Sequence, residues 1–548
     1  MADASPRTRL ATHEVVNQPA TGEDSDLFAL DQALQEALAR EAPDWVSRRL
    51  APLGVDVGSR RIQALGETAN RHPPELRLFD RHGRRLDEVV YHPAYHELMH
   101  LACDHGWHAV AWQEESRGGH QAHIAAMYLL TQAEPGFCCP ITMTHAAMPA
   151  LRHQPEVHAQ WAPRMLAWDY DGRAIPAWDK PAVTLGMAMT EKQGGSDVRT
   201  NTTRAVAEGD DYRLTGHKWF CSAPMSDAFL TLAQTDDGLG CFLVPRFTPD
   251  DERNAIEIQR LKDKCGNRAN ASAEIEYRGA WAQAIGEPGR GIATILEMVQ
   301  QTRLDAATAP VGMMRQALVE AWQHVRQRQA FGKHLSEQPL MRAVIADLAL
   351  EVEAGLALVM RTARAFDHPD DEQERGLARL APALAKYWHN KRGPGFMAEA
   401  MECLGGIGYV EEVPLARLYR EAPVNSIWEG SGNVICLDVL RVLARHPESI
   451  EALREELAAA RGTSSDYDYA VDELEQALIA DLITLEPRAR WLTQRLAQCL
   501  QASLLLRHAP PAVADTFCRT RLGPEAGSAY GVLPVNAPCG TILARIVP

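Results

Sequence analysis

Hydrophobic residues recur at helical spacing in the first part of the chain. Leu27, Leu30, Leu34 and Leu38 lie three or four positions apart, so they share one face of a helix. The same helical spacing of apolar residues continues to about Trp168. The pattern therefore predicts a mainly helical region from residue 27 to about Trp168.

The pattern changes near residue 181. From there to about residue 286 the apolar segments are short and often alternate with polar residues, which is typical of strands. Residues 229–233 and 241–244 flank Asp237-Gly238, a strong hairpin signal. This part of the chain is predicted to be a compact β domain.

Helical spacing returns at Gly291. Residues 340–360 are predominantly apolar, and further helices are predicted at 382–404 and 434–444. Several long apolar helices joined by short connections favour a helix bundle.

The predicted fold class is mostly α with a central β domain and a C-terminal helical extension. The predicted domains are an N-terminal arm and helical domain (1–180), the β domain (181–286), a four-helix bundle (287–446) and an additional helical subdomain with a tail (447–548).

Composition and charge narrow the function classes. No apolar run approaches the ~18 residues that a membrane span needs, and the N-terminus lacks a signal-peptide pattern, so we expect a cytoplasmic protein without a membrane partner. The net charge of −16 opposes nucleic-acid binding over the whole surface, because phosphate repels it, but it allows a local basic patch. The 11 cysteines include no CxxC pair, so we expect reduced thiols and no zinc ribbon.

One carboxylate stands out in the segment 425–433. Glu429 follows Ile427 and Trp428 and precedes Gly-Ser-Gly, which is typical of a general base in a dry pocket on a flexible loop. Burial beside the two apolar residues is expected to raise its pKa. The alternative is a capping box formed by Ser426 and Glu429. Gly-Ser-Gly makes a poor first helical turn, and Ser431 or Asn433 is a better N-cap, which leaves Glu429 available for chemistry.

His96, Glu97 and His100 form an HExxH sequence. Two histidines four residues apart share a helix face, as in zinc-binding helices. No third ligand follows at a fixed spacing, and nothing else in the chain is typical of a protease. We therefore expect solvent-facing or hydrogen-bonded histidines and no metal.

Four other segments combine residue types that suit a cofactor site: 187–197, 216–222, 326–333 and 404–409. Each also has a purely structural interpretation, namely a polar loop, a core aromatic pair, cations at a helix end, and a glycine C-cap. For the aromatics of 216–222, the core interpretation is favoured when the segment is taken alone.

Together these segments resemble the acyl-CoA dehydrogenase family of flavoproteins, since five motifs occur in that family's order. Met189-Thr190-Glu191-Lys192-Gln193, the run from Arg260 to Lys264, the Asn17-Gln18-Pro19 arm and the extra C-terminal region are similar to its AidB branch, the flavoproteins of the bacterial adaptive response to DNA alkylation. The arm is expected to pack on the body of the chain or on a neighbouring subunit.

The resemblance implies FAD as cofactor and a homotetramer built as a dimer of dimers. The residues it assigns to FAD binding are Met187, Thr190, Gly195, Ser196, Phe220, Ser222, Arg328, Phe331, Gly405, Gly406, Ser431 and Asn433. Arg328 and Phe331 would reach the FAD of a neighbouring subunit. Phe220 stands where the family usually has tryptophan, and Ser222 where it has threonine.

The resemblance also implies a reaction. Glu429 matches the catalytic base, which would remove the α-proton of an acyl-CoA thioester while the β-hydrogen leaves as hydride. In one branch the base instead precedes an arginine of an earlier helix. Here Thr302 precedes Arg303, and threonine cannot act as this base, so Glu429 remains the candidate.

The AidB likeness supports an alternative function, a DNA-binding flavoprotein that protects DNA from alkylation with little dehydrogenase turnover. Arg441 would then face the duplex. Two alternatives stay open for six further arginines of the C-terminal region: they are solvated separately, or they gather on one face that binds DNA. They are Arg488, Arg490, Arg495, Arg507, Arg519 and Arg521.

Overall fold

The computed structural model describes residues 6–20, 24–479 and 485–546. Its N-terminal part contains eight helices and one hairpin: α1 (Gln32–Glu41), α2 (Asp44–Gly58), α3 (Arg60–Arg71), β1 (Glu75–Phe79), β2 (Arg85–Val90), α4 (Pro93–Cys103), α5 (Val110–Gln113), α6 (Gly119–Ala133), α7 (Cys138–Leu151) and α8 (Pro155–Met165). Helix α6 is buried along its whole length, so it forms the centre of this part.

The region is mainly helical as predicted, but it contains a hairpin that the prediction did not include. Strands β1 and β2 pair antiparallel, with Glu75 opposite Val90. Leu76 and Leu78 are half-buried while their neighbours are exposed, so the local period is two rather than 3.6. The segment is short, and the helical spacing on both sides obscured it.

The β domain contains seven strands: β3 (Leu185–Ala188), β4 (Arg204–Glu208), β5 (Asp211–Ser222), β6 (Ala228–Thr235), β7 (Gly238–Pro245), β8 (Ile256–Leu261) and β9 (Ser272–Ile285). The predicted hairpin is confirmed, because Thr235 pairs with Gly238 and Phe229 pairs with Val244. The sheet curls back on itself, since β6 pairs with both β7 and β4 while β5 and β9 complete the ring.

The helix bundle follows, with one small hairpin after its first helix: α9 (Gly291–Gln327), β10 (Gln329–Ala330), β11 (Lys333–His334), α10 (Pro339–Phe366), α11 (Glu372–Leu404), α12 (Leu415–Glu421) and α13 (Gly432–Arg445). The interior faces of α9, α10 and α11 share one hydrophobic core with the N-terminal helices. This shared core fixes the long helices on which the candidate site depends.

The C-terminal extension contains α14 (Pro447–Ala458), α15 (Ser465–Leu478), α16 (Ala489–His508), α17 (Pro511–Arg521) and α18 (Cys539–Leu543). Buried ion pairs attach it to the bundle: Arg521 lies 2.6 Å from Asp347 and 3.0 Å from Glu351. The predicted fold class, mostly α with a central β domain and a helical extension, is confirmed. Within the described ranges, no helix is long and apolar enough to cross a membrane.

Candidate functional site

Glu429 lies in a loop between a short 3₁₀ turn, Val424–Ser426, and the start of α13. Its backbone adopts φ +57°, in the left-handed region that a bulky residue rarely occupies. Such a conformation is maintained only where surrounding groups hold it, and it often marks a functional position.

Three side chains from two bundle helices hold this loop. The hydroxyl of Thr302 donates a hydrogen bond to Oε2 of Glu429 at 2.8 Å. Nε of Arg303 donates to the backbone carbonyl of Glu429 at 3.3 Å, and Nζ of Lys386 donates to the carbonyl of Gly430 at 2.9 Å. Because Thr302 and Arg303 belong to α9 and Lys386 to α11, the rigid bundle sets the direction of the carboxylate.

Arg303 is itself fixed by an ion pair. Its Nη1 lies 2.6 Å from Asp438 of α13, and both side chains are almost fully buried. Asp438 also lies 2.9 Å from Arg441. Glu429, α9 and α13 are thus joined by one polar network.

Burial raises the pKa of Glu429, while the hydrogen bond from Thr302 and the charges of Lys386 and Arg303 act in the opposite direction. Burial also lowers the pKa of Lys386 to about 7, against the attraction of Glu429. A carboxylate whose pKa is moved towards neutrality is a stronger proton acceptor than an ordinary surface glutamate.

The predicted cause of this burial is partly wrong. Ile427 is 65% exposed, so it does not cover the Glu429 carboxylate. Trp428 is half-buried and donates its indole N–H to Asn425 at 2.7 Å. The loop turns Ile427 outward because the contacts of Glu429 point inward to α9.

The capping-box interpretation of Ser426 and Glu429 is also wrong. Ser426 accepts a hydrogen bond from Lys391 at 2.8 Å, while Glu429 binds Thr302. Ser431 is the N-cap residue, as one of the two predicted candidates, but its side chain makes no capping hydrogen bond. Asn433 lies inside the first turn, because α13 begins at Gly432, two residues earlier than predicted.

The backbone N–H of Glu429 donates no hydrogen bond to any residue in the described part of the chain. The same holds for the N–H groups of Gly430 and Ser431. Unpaired donors at a helix start attract an oxyanion or a phosphate. The loop therefore offers a carboxylate and free N–H groups side by side.

The β-domain segment 187–197 begins in β3 and continues into a loop. Met187 is buried, and the carbonyl of Thr190 accepts a hydrogen bond from the N–H of Trp219 at 2.8 Å. A Cβ at Gly195 would lie only 2.3 Å from Oγ1 of Thr190, so glycine is needed for this close approach. Ser196 next to it is exposed.

Phe220 is 45% exposed, so the favoured interpretation of this aromatic as a core residue is wrong. Nζ of Lys262 lies 4.6 Å from the centre of its ring and 4.3 Å from that of Trp219. Lys262 belongs to the run from Arg260 to Lys264 quoted above, but its contact with these aromatics was not predicted. β8 and β5 both pair with β9, which brings the two segments together.

Ser222 begins a chain of polar contacts that sequence reasoning missed. Its hydroxyl lies 3.3 Å from that of Ser272, which accepts a hydrogen bond from Nζ of Lys264 at 3.1 Å. Burial lowers the pKa of Lys264 to about 8. The only signal in the sequence was the lysine-rich run itself, which has no recognisable spacing to Ser222.

Arg328 ends α9, and Phe331 lies in the small hairpin that follows. Phe331 and Gly332 form its turn with φ values of +55° and +77°, and Phe331 is 98% exposed. Arg328 donates to the carbonyl of Asn17 at 2.6 Å, and Asn17 also binds the backbone of Gln329. The arm therefore packs on the body of its own chain, one of the two predicted alternatives.

Gly405 and Gly406 follow the end of α11. Gly405 has φ +68° and occupies the C-cap position, as the structural interpretation predicted. No heavy atom lies within 4 Å of a Cβ built at either glycine, and both residues are exposed. An exposed backbone without side chains leaves room for a phosphate group.

The arginines that could contact DNA differ in their surroundings. The side chain of Arg441 is 56% exposed and pairs with Asp438. Arg521 is buried between carboxylates, while Arg495 and Arg507 pair with glutamates. Arg519 likewise pairs with an acidic neighbour, and Arg488 and Arg490 are exposed at the start of α16. The six C-terminal arginines therefore do not form one exposed face.

The histidines of the HExxH sequence have protein partners. His96 lies 2.9 Å from the hydroxyl of Tyr170, and His100 lies 3.2 Å from Asp104. Glu97, the acidic member of the motif, pairs with Arg61 at 2.8 Å. These contacts are those of ordinary hydrogen-bonded histidines.

A second histidine cluster was not anticipated from the sequence. His123, His145 and Asp305 are buried with their ligand atoms within 4.8 Å of one another. The two rings stack at 3.8 Å and 17°, so their in-plane lone pairs run side by side and do not converge on one ion. Asp305 instead accepts a hydrogen bond from Thr142 at 2.6 Å and lies 3.1 Å from His123.

The residues present fit a flat dinucleotide cofactor. Phe220 offers an exposed aromatic face beside the hydroxyl of Ser222, and Gly405 and Gly406 offer open backbone for phosphate. These features are the ones that an FAD site needs.

Three family models match the chain. The adaptive response protein AidB N-terminal domain matches residues 17–172, the acyl-CoA dehydrogenase middle domain 186–280, and the acyl-CoA dehydrogenase C-terminal domain 289–444. The chain belongs to the acyl-CoA dehydrogenase family. FAD is the cofactor of this family.

Among individual relatives, AidB of Escherichia coli (strain K12) is 47% identical over 519 residues, which cover 94% of this chain and 95% of that protein. Acyl-CoA dehydrogenase family member 11 of Caenorhabditis elegans is 30% identical over 83% of this chain and 76% of its own length. The crystal structure of Caenorhabditis elegans ACDH-11 in complex with C11-CoA superposes with a TM-score of 0.82 at 26% identity, covering 94% of this chain and 92% of that one. The predicted resemblance to the AidB branch is confirmed.

Proposed function

We propose that this protein is an FAD-dependent oxidoreductase that dehydrogenates the α,β bond of a short or branched acyl-CoA, with Glu429 as the catalytic base. One observation carries the proposal: the Glu429 carboxylate is held by Thr302 at 2.8 Å while its own backbone N–H remains unpaired among the described residues. A base and an oxyanion donor at one residue suit removal of a proton next to a thioester carbonyl.

The chain's own residues divide the work as follows. Glu429 accepts the α-proton, and Thr302 keeps its carboxylate oriented. Arg303 and Lys386 hold the carbonyls of Glu429 and Gly430, which fixes the loop and leaves the N–H of Glu429 available for the thioester oxygen. FAD, when bound, supplies the acceptor for the β-hydrogen and its electron pair.

The cofactor would be held by both domains. Met187, Thr190, Gly195, Ser196, Phe220 and Ser222 would contact the flavin end, and Gly405, Gly406, Ser431 and Asn433 would contact the phosphate end. We further propose a cytoplasmic homotetramer, a dimer of dimers, in which Arg328 and Phe331 reach the FAD of a neighbouring subunit. An exposed aromatic in a strained turn supports this role for Phe331.

Anaerobic titration of the FAD-loaded protein with butyryl-CoA and isovaleryl-CoA tests the proposal. Glu429→Gln should retain FAD but bleach the flavin at least about a hundredfold more slowly, because the amide cannot accept the proton. Glu448→Gln, at an exposed position of α14, is the matched control and should behave as wild type. Bleaching of Glu429→Gln at the wild-type rate would refute the assignment.

Duplex DNA binding with Arg441 as a contact is the second candidate. The likeness to AidB and the exposed side chain of Arg441 favour it. A gel shift at low salt, where phosphate-driven affinity is greatest, provides the test. Binding by wild type that Arg441→Gln weakens would support it, and no shift at low salt would exclude it.

A further inference from the structure

A lysine without an ion-pair partner lies beside the residues assigned to the flavin. Lys264 is half-buried in the loop between β8 and β9. Its Nζ donates hydrogen bonds to the carbonyl of Asn270 at 2.7 Å, to Oγ of Ser272 at 3.1 Å and to Oδ1 of Asn267 at 3.4 Å. All three acceptors are uncharged, and none of its contacts in the described part of the chain is to a carboxylate. Lysines withdrawn from water are usually paired with an acid, so this cation needs another explanation.

The hydroxyl of Ser272 transmits this contact in one direction. An ammonium group is a donor only, so Oγ of Ser272 accepts from Lys264 and must donate its own hydrogen elsewhere. Ser272 is 5% exposed, and within the described ranges the one other partner of its hydroxyl is Oγ of Ser222 at 3.3 Å. A buried hydroxyl hydrogen without an acceptor costs free energy, so Ser272 donates to Ser222.

The hydroxyl of Ser222 then has its own hydrogen left to donate. It forms no second hydrogen bond with any residue that the structure describes, and Ser222 is half-buried at the end of β5. The hydrogen is therefore available to an acceptor from outside the chain. The flavin ring, which we propose Ser222 to contact, carries nitrogen and oxygen acceptors. The donors thus run from Lys264 through two serines towards the flavin.

Neighbouring elements fix this chain of donors in place. Nδ2 of Asn267 donates to Glu421 of α12 at 2.8 Å, and the backbone N–H of Asn267 donates to the same carboxylate. Ser272 and Ser222 lie opposite each other on the paired strands β9 and β5. Donors that are already positioned act on developing charge with little reorganisation.

The charge of Lys264 is retained at neutral pH. Burial lowers the pKa of Lys264 to about 8, against the attraction of nearby acidic groups, of which Glu421 acts most strongly. The side chain is therefore mostly protonated near neutrality. A flavin that accepts the β-hydrogen with its electron pair gains one negative charge. A cation connected to the ring by charge-assisted hydrogen bonds favours that form over the oxidised one.

We propose that Lys264 is a positioning residue that acts through Ser272 and Ser222 to stabilise the reduced flavin and so raises its reduction potential. The proposal rests on the contact of Ser222 with the flavin, which is part of the proposed function. It does not depend on Glu429 as the base.

Stepwise anaerobic reduction of the FAD-loaded, full-length protein with xanthine and xanthine oxidase, against a reference dye, measures this potential. Lys264→Met removes the charge at similar length. It should shift the equilibrium about tenfold towards oxidised flavin, which for a two-electron couple is a potential about 30 mV lower. Lys264→Arg keeps the cation and should stay within about threefold of wild type. Arg278→Gln removes an exposed cation from β9 and is the control, with an unchanged potential.

Ser222→Ala separates this proposal from the contact on which it rests. A potential that changes in Ser222→Ala but not in Lys264→Met would overturn the role of Lys264 and leave the flavin contact of Ser222 standing. Unchanged potentials in both variants would overturn both. An equal shift in Arg278→Gln would show a general effect of charge and would also overturn the proposal.

A second variant covers loss of the cofactor. If Lys264→Met fails to retain FAD, Ser272→Ala replaces it, because it interrupts the chain of donors and keeps the ammonium group. Its potential should fall in the same direction, and an unchanged potential would overturn the proposal. Since no acyl-CoA is added, these measurements give their result whether or not Glu429 removes a proton.

Discussion

The loop of Glu429 and the residues assigned to FAD are built in opposite ways. Around Glu429 the side chains of Thr302, Arg303 and Lys386 are buried, and each already has its partner inside the chain. On the proposed cofactor side, Phe220 is 45% exposed and Phe331 is 98% exposed. The chain thus holds Glu429 in place by itself, whereas we propose that FAD and a second subunit cover the exposed rings. The contacts that hold Glu429 therefore contribute to the stability of the fold, whereas the proposed cofactor contacts would form only on FAD binding and assembly.

If this contrast is correct, the largest loss of stability should follow from breaking the buried ion pair between Arg303 and Asp438. Asp438→Asn leaves Arg303 buried without its carboxylate, which should destabilise the protein by about 3 kcal/mol. Thermal unfolding measures this effect. Arg441→Gln is the matched control, because it removes only an exposed partner of Asp438 and should change stability by less than about 1 kcal/mol. If both variants lost the same stability, the buried ion pair would not stabilise the protein more than the exposed one.

An intermediate effect is expected at the hydrogen bond that orients the base. Thr302→Val should slow flavin bleaching at neutral pH about tenfold, because a hydrogen bond to a charged group is lost. The bond from Thr302 lowers the pKa of Glu429, so its loss raises that pKa, and the acidic limb of the rate profile should move to higher pH. Thr302→Ser keeps the hydroxyl and should remain close to wild type. A rate profile of Thr302→Val that coincides with wild type would show that the bond does not act on the base.

Substitutions at the proposed cofactor contacts should change the affinity for FAD rather than the rate of proton removal. Phe331→Ala should weaken FAD retention by up to about tenfold, because it removes the apolar ring that we propose to cover the cofactor of a neighbouring subunit. Equilibrium dialysis of FAD and analytical ultracentrifugation measure affinity and assembly together. Ile479→Ala, at another exposed apolar position, is the control. An FAD affinity unchanged in Phe331→Ala would remove Phe331 from the proposed contact.

Much of the architecture was predictable because it depends on local periodicity. The hairpin at Asp237-Gly238 and the helix beginning at Gly291 follow from turn chemistry and apolar spacing. The hairpin β1–β2 was missed because its alternation is short and only half-buried. Ile427 was misjudged because hydrophobicity alone does not give the direction of a side chain in a loop.

From the sequence alone, the order of the helical and β regions and the family could be predicted, together with the carboxylate that we propose as the base. These depend on residue type, period and motif order, which are local properties of the chain. The tertiary structure alone decided that Thr302 orients this carboxylate, that Lys264 reaches Ser222 through Ser272, and that Lys386 holds the loop from α11. Such contacts join residues that lie far apart in sequence, and only the packing of helices and strands brings them within hydrogen-bonding distance.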